Sequence, residues 1–297
     1  DLRNQIATGV TYDNAISNDE NDLRAIWGYN YNSFYVQDSW DIRSDLNLMF
    51  GVRYDLYESE GQIRENQNFI DRYGFSNTND IDGLDIILPR FAFNWEANDD
   101  VTVRGGVGRF SGGSPSVWLS NSYSNDGVIN GSVSDFGTIA VPNTPDPVTG
   151  NYIPGYLQDQ LATQTPDGPV NALDNTFEIP STWKANLGVA VNTYADWLVT
   201  ADVLYNKLEN APYWYDLRCG DPVSASPDGR PVYDCSNGPE ALAVGSVDKG
   251  HSLLWAISAS NDWETPFGDI DFFTSYTHAD VKDIGMGTSS TATSNYS

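Results

Sequence analysis

The chain is 297 residues long, with a formal net charge of −26 at pH 7, 13% aromatic residues, two cysteines and two methionines. So acidic a chain has little with which to neutralise phosphate, which argues against nucleic acid as a partner, and its aromatic content argues against a disordered polymer. No apolar run of about 18 residues is present; that removes a transmembrane helix but not a membrane-crossing strand, in which only alternate residues face lipid.

The opening stretch DLRNQIATGVTYD lacks the basic start and apolar core of a secretion signal and is strand-like from the outset. The chain is therefore expected to be a piece of a longer protein, with Arg3 to Tyr12 as half of an earlier strand pair. The clearest pattern follows at Ser33 to Tyr57, two strands joined by the turn Arg43-Ser44-Asp45. Leu46, Leu48, Phe50, Val52, Tyr54 and Leu56 share one face and Asn47, Gly51, Arg53 and Asp55 the other, a period of two that only Met49 and Tyr57 blur. Ordinary strands run about five or six residues, whereas a tilted strand needs about ten to cross an apolar slab roughly 25 Å tall.

The same pairing recurs. Ile87 to Glu96 and Val101 to Phe110 flank Ala97–Asp100; Trp183 to Asn192 and Trp197 to Lys207 flank Thr193–Asp196; Leu253 to Trp263 and Asp269 to Ala279 flank Glu264–Gly268. Between the hairpins lie long connections at about 13–32, 58–86, 111–182 and 208–252. Thirteen of the fifteen prolines fall in the last two of these, and only Pro89, near a strand start, and Pro266, in a turn, lie elsewhere. A residue that cannot donate to a ladder is thus kept out of the expected strands.

Tryptophan placement repeats the same division. Trp40, Trp95, Trp197 and Trp263 lie at the short-turn ends of their strands, in phase with the apolar residues, and Trp183 and Trp255 lie toward the long-connection ends on the same phase. Two aromatic bands bordering an apolar belt are the girdles that sit at membrane interfaces. Asp38 fits badly, because it shares the phase of Val36 and Trp40; a bulge near Gln37 is one way to turn it inward.

Phe34 to Trp40 (FYVQDSW) and Gly51 to Asp55 (GVRYD) resemble the barrel signature of TonB-dependent outer-membrane receptors. PRFAFNW (Pro89 to Trp95), VRGGVGRFSGG (Val103 to Gly113), SVWLSNSYSNDG (Ser116 to Gly127) and FEIPSTWK (Phe177 to Lys184) resemble the Oar-like branch of that family. The resemblance implies an antiparallel up-and-down transmembrane β-barrel of a Gram-negative outer membrane. In that barrel about 22 strands enclose a plug, and import is driven by the TonB complex. Residues 1–297 are expected to be part of that one domain and to supply about nine strands. Neither the plug, which carries the TonB contact, nor a closing C-terminal strand is legible in this sequence, which runs out in a Ser/Thr-rich stretch.

Several features allow two readings. The connection 111–182 carries seven acidic residues and no Lys or Arg. It is either a ligand-contacting surface, with Trp118, Tyr123 and Asp126 and with Trp214 from the next connection, or a solvated exterior whose charge opposes aggregation. Asp80 to Asp85 partly resembles a calcium loop but lacks its terminal Glu and flanking helices, so an acidic turn is the plainer reading; Asn18 to Asp22 reads the same way. Cys219 and Cys235 lie in one loop and outside the cytosol are expected to form a disulfide; with no other Cys present, no metal site is expected there. Gly105, Gly106 and Gly108 lack the Lys-Ser/Thr and following helix of a phosphate loop. Arg53, Asp55, Arg90, Glu96, Arg104, Lys184 and Asp202 fall on the lumen phase, lining a solute path or holding the plug. Arg109 and Lys207 fall on the outward phase, where cations can reach lipid phosphates.

No catalytic motif is present and no cofactor is expected. The expected function is a non-enzymatic TonB-dependent receptor whose external loops select a ligand. Its expected partners are the TonB complex, that extracellular ligand and the lipid and lipopolysaccharide of the outer membrane. A secreted all-β glycan-binding or adhesive protein, and a passive structural or porin barrel, are the alternatives.

Overall fold

The computed structural model describes residues 6–112, 116–142, 144–145, 150 and 152–284. In chain order the elements begin with β1 (Ile6–Ala15), β2 (Gly28–Arg43), β3 (Leu46–Glu60), α1 (Gln67–Tyr73), β4 (Asp85–Asn98) and β5 (Val101–Ser111). There follow α2 (Ser116–Ser124), β6 (Asn130–Ala140), α3 (Gly155–Ala162), β7 (Val170–Leu173), β8 (Ser181–Asn192) and β9 (Leu198–Glu209). The last are β10 (Ala211–Asp216), β11 (Ser224–Ala225), β12 (Pro231–Val232), β13 (Ala241–Val247), β14 (His251–Thr265) and β15 (Gly268–Lys282).

Eight of the strands form one antiparallel sheet in the order β15-β14-β9-β8-β5-β4-β3-β2, hereafter the wall. Every expected hairpin is in it, each strand within a few residues of its sequence bounds and most of them longer. The extra length lies mainly beyond the apolar belt, where period-two alternation gives way to polar residues. Pro89 stands inside β4, opposite Val52, but just past the end of the β4–β5 ladder, which begins at Arg90. Its missing N–H therefore interrupts no bond on that side.

Register separates two faces. One row across the wall runs Trp40, Leu48, Phe93, Gly105, Leu187, Val203, Trp255 and His278. It begins beside a short turn on β2 and ends beside the long connections on β15, so the strands are staggered as a tilted wall requires. Among the described residues nothing packs over this apolar face: Phe34, Val36, Trp40, Leu187 and Tyr276 are all more than half exposed. A second sheet stacked on Leu48, Val52, Phe93 and Val203 would make a soluble sandwich, and none is present among the described residues. Asp38 pairs with Phe50 in unbroken register, so no bulge at Gln37 turns it inward, and its carboxylate accepts from the Ser39 backbone N–H at 2.9 Å.

β1 departs from the expected pattern. It pairs with β6 in a separate two-stranded sheet and leaves the wall with eight strands rather than about nine. Alternation in β1 shows that one face is covered but not by what: Val10 and Tyr12 pack with Val133, Leu157 and Leu161. The long connections are likewise folded. α1, α2 and the three-stranded sheet β10-β13-β7, in which β13 and β7 run parallel, build a cap at one end of the wall, while α3 packs on the β1–β6 sheet. Its largest core joins Ile81, Leu173, Phe177, Trp214, Leu242 and Val244, and a second joins Phe69, Val170, Ala172 and Ala241. The side chain of Asn66 caps α1 by accepting from Phe69 N at 3.1 Å, and Gly74, at φ 79°, ends the helix in the left-handed conformation that glycine adopts without strain.

Cys219 and Cys235 are bonded, with Cα atoms 4.3 Å apart, and bracket the β11–β12 hairpin at the cap's edge. Replacing both by serine is expected to remove about 3 kcal/mol from this loop by loop-closure entropy. Limited proteolysis should then cut within 219–235 while the wall strands remain protected; unchanged resistance would show that the hairpin holds itself.

Candidate functional site

The cap sits on the polar face of the wall. Ile86 and Leu88, which point to that face at the end of β4, are buried with Ile179 of the cap, and Tyr57 and Leu84 pack against them. Beside this contact lies a cavity of about 300 Å³, within the range of small-ligand pockets. The wall contributes Tyr29, Tyr31, Arg53, Asp55 and Tyr57; the cap and its entry strand contribute Ile81, Ser111, Gly112, Leu119, Phe177, Ile179 and Pro180.

Alternation builds the wall side of this cavity. Tyr29, Tyr31, Ser33 and Tyr35 occupy successive polar-face positions on β2, and Arg53, Asp55 and Tyr57 the facing positions on β3. Tyr31 stacks on Tyr57 with ring centroids 5.6 Å apart and an interplanar angle of 27°. Asp55 is 2% exposed; its Oδ1 accepts from Arg53 Nε at 2.7 Å and from Ser33 Oγ at 2.6 Å, and Arg53 Nη2 also donates to Ser33 Oγ at 3.1 Å. A buried carboxylate needs such partners to stay charged, and here both bonds go to one oxygen. Asp55 Oδ2 has no hydrogen bond among the described residues. A second recess continues along β2 and is lined by Tyr31, Ser33, Tyr35, Gln37, Arg53 and Arg90.

The residues singled out for ligand contact lie elsewhere in the cap. Tyr123 is 4% exposed, and its hydroxyl lies 3.5 Å from Asp80 Oδ2; burial, with Asp80 and Asp82 nearby, pushes its phenol above the usual tyrosine value. Asp126 is fully buried and accepts from the backbone N–H groups of Val128 and Ile129 at 2.8 and 3.1 Å, with Arg64 at 3.4 Å. Trp214 is 3% exposed in the main cap core. In these positions Tyr123, Asp126 and Trp214 hold the cap together and offer a ligand no surface. Trp118 is carried by α2, and its side chain lies outside the described residues. The cavity residues that the sequence reading missed leave one signal: Tyr29, Tyr31 and Tyr35 are aromatics on the face that alternation assigns to polar residues.

The acidic stretches are locally occupied. Asp80 accepts from Ser59 Oγ at 2.7 Å and Asp82 N at 2.9 Å, Asp82 accepts from Ser59 N at 3.1 Å, and Tyr54 donates to Asp85 at 2.8 Å. Asp19 caps a short 3-10 turn at Glu20–Leu23, and the Asn21 backbone N–H holds its carboxyl below the usual range. On the polar face Arg104 pairs with Asp202 at 3.0 Å, and Lys184 lies over the Phe110 ring at 5.6 Å. On the apolar face Arg109 and Lys207 both reach Glu209, at 3.3 and 3.8 Å, which also accepts from Trp183 Nε1 at 3.0 Å.

Trp40, Trp95, Trp183, Trp197, Trp255 and Trp263 lie on the apolar face of the wall. Trp197 packs edge-on against Trp263 at 5.7 Å and against Phe272 at 5.6 Å beside the short turns, Trp95 donates to Asp45 at 3.3 Å, and Trp255 packs with Tyr276 at 5.4 Å toward the other end.

Among solved structures, the chain is similar to the outer membrane transporter YddB from Escherichia coli (15% identity, TM-score 0.45, covering 85% of this chain and 25% of that one). It is similar also to the FrpB iron transporter from Neisseria meningitidis, F5-1 variant (9%, 0.45, 86% and 27%), and to the siderophore receptor PirA from Pseudomonas aeruginosa (11%, 0.40, 85% and 41%). The chain thus spans between a quarter and about two-fifths of the length of these structures. No curated protein matches it. Residues 6–217, which run from β1 through the six wall strands β2–β5, β8 and β9 to β10 of the cap sheet, match the family described as outer membrane beta barrel domain. The chain belongs to that family, and its wall is part of a β-barrel of the Gram-negative outer membrane.

Proposed function

We propose that residues 1–297 are part of one barrel domain of a TonB-dependent receptor of the Oar-like branch. The receptor is non-enzymatic, its cap and the cavity beneath it select an extracellular ligand, and import is energised by the TonB complex through a region outside this chain. The observation that carries the reading is the asymmetry of the wall. One face is apolar and uncovered among the described residues, while the other carries a folded cap with a cavity between cap and wall. A passive porin needs only an open passage, whereas a receptor needs a concave site that can hold a ligand.

In this reading Trp40, Trp95, Trp197 and Trp263 mark the periplasmic interface, and Trp183 and Trp255 the outer-leaflet interface. Arg109 and Lys207, beside Trp183, lie at the level of lipid and lipopolysaccharide headgroups. The polar-face charges Arg90, Arg104, Lys184 and Asp202 face the lumen and its plug.

The test is ligand uptake by cells with and without TonB. Loss of uptake with retained surface binding supports the receptor. Uptake indifferent to TonB would make the chain a passive barrel, and recovery as a soluble monomer instead of in detergent-solubilised outer membrane would make it a secreted protein.

A further inference from the structure

We infer that the cavity between cap and wall takes a neutral, hydroxyl-rich ring ligand, that is, a segment of an uncharged oligosaccharide. The inference rests on the receptor reading and names the ligand class for its site. Three properties of the cavity lead there.

The first is charge. The one buried carboxylate in the lining, Asp55, is matched by Arg53 at 2.7 Å, so the cavity itself is electrically compensated and offers an ionic ligand no counter-charge. The surroundings are strongly acidic: the chain carries 41 Asp and Glu against 15 Lys and Arg. A field of that sign repels an approaching anion, and a cation that reached Asp55 would meet the Arg53 guanidinium beside it. What remains favourable is a neutral solute.

The second is the arrangement of donors and acceptors. Among the described residues Asp55 Oδ2 accepts no hydrogen bond and Arg53 donates through Nε and Nη2; the Tyr31 hydroxyl lies beside Arg53 and that of Tyr57 beside Ser111, and each can both donate and accept. A ligand satisfies such a set only if it presents donors and acceptors close together. Adjacent hydroxyls on one ring do so, donating to Asp55 and accepting from Arg53.

The third is shape. Tyr31 is 52% exposed; it stacks on Tyr57 and also lines the cavity. Ile81, Leu119 and Phe177 of the cap add apolar lining. A sugar ring has a flat C–H face for the tyrosine and hydroxyls at its rim for the polar groups. Tyr31 and Arg53 also line the recess that continues to Tyr35, where Arg90 is a further hydrogen-bond donor for ligand hydroxyls, so the track is longer than one ring and suits an oligomer.

The test uses the whole receptor in detergent, probed with an array of neutral oligosaccharides and, beside it, arrays of sulfated or uronic-acid glycans and of short peptides. Neutral oligosaccharides are expected to bind, with Tyr31→Ala weakening the bound probe about tenfold and Tyr31→Phe, which keeps the ring, leaving it within about threefold. Tyr31 is half-exposed on a wall strand, and retained heat-modifiable gel mobility shows that the variant is folded. Binding confined to anionic glycans or peptides, binding to none of the arrays, or neutral binding indifferent to Tyr31→Ala would each overturn the inference. The receptor reading fails on a different result, uptake that persists without TonB.

Discussion

Replacing Val52 by arginine is expected to keep the chain out of the outer membrane, at a cost of about 2–4 kcal/mol for a cation near the midplane of a barrel's lipid face. Val52 lies on the apolar face of β3 between Val36 and Pro89, two rows above the Trp40–Leu48 row and one below Tyr54, whose hydroxyl already meets Asp85. It is 38% exposed, so arginine meets no steric obstacle and the whole effect comes from what surrounds the face. Asn47 supplies the contrast. It lies on the polar face, where Nδ2 donates to Asp41 at 2.6 Å and Ser39 at 3.1 Å, and Asn47→Ala should cost no more than about 1 kcal/mol, the net worth of exposed hydrogen bonds. The measurement is the amount of heat-modifiable protein in the outer-membrane fraction. Equal yields for Val52→Arg and Asn47→Ala would mean that this face does not meet lipid.

Trp214→Ala should unfold the cap and leave the wall intact. The indole fills the centre of the cluster formed by Ile81, Leu173, Phe177, Leu242 and Val244. Truncating a buried tryptophan to alanine costs about 3–5 kcal/mol through lost transfer energy and the cavity left behind. The cap sheet has only three strands, so a loss of that size is a large part of what holds it, whereas the wall is tied by ladders that do not involve Trp214. Trp214→Phe is the informative companion. The Trp214 Nε1–H is buried without a partner among the described residues, and removing an unpaired buried donor relieves about 1–3 kcal/mol of desolvation. Phenylalanine should therefore be far milder than alanine. Protease cleavage between residues 210 and 250 in Trp214→Ala, with unchanged barrel mobility on gels, is the expected result; simultaneous loss of both would show that cap and wall fold as one unit.

The wall is legible in the sequence and the cap is not. The wall hairpins could be read because each strand crosses the same boundary, from water through an apolar belt to water. Leu46 to Leu56, Ile87 to Glu96 and Trp197 to Lys207 repeat one requirement, and a period of two with tryptophan at the margins is its direct record. Cys219 and Cys235 could be paired because no other cysteine competes. The cap was not legible. Its core takes Ile81 from one connection, Leu173 and Phe177 from a second and Trp214, Leu242 and Val244 from a third, each in a segment too short and too rich in proline and glycine to show a period of its own. The β1–β6 pairing escaped for a related reason: its two strands lie more than a hundred residues apart, with no tight turn between them to announce the partner.

The candidate site divides along the same line. Arg53 and Asp55 could be placed on the polar face by counting, but counting gave no sign that Asp55 is buried or that Tyr31 and Tyr57 stack above it. Tyr123, Asp126 and Trp214, conspicuous in acidic and aromatic-rich loops, have a chemistry that suits a core as well as a binding surface. By itself the sequence determined the membrane-crossing wall and which of its faces meets lipid, because the solvent on each side acts on every strand residue independently and leaves its mark one position at a time. Only the tertiary structure decided that the acidic connections condense into a cap over the polar face and which side chains they leave open beneath it, because burial there depends on contacts among three distant segments, which no local pattern encodes.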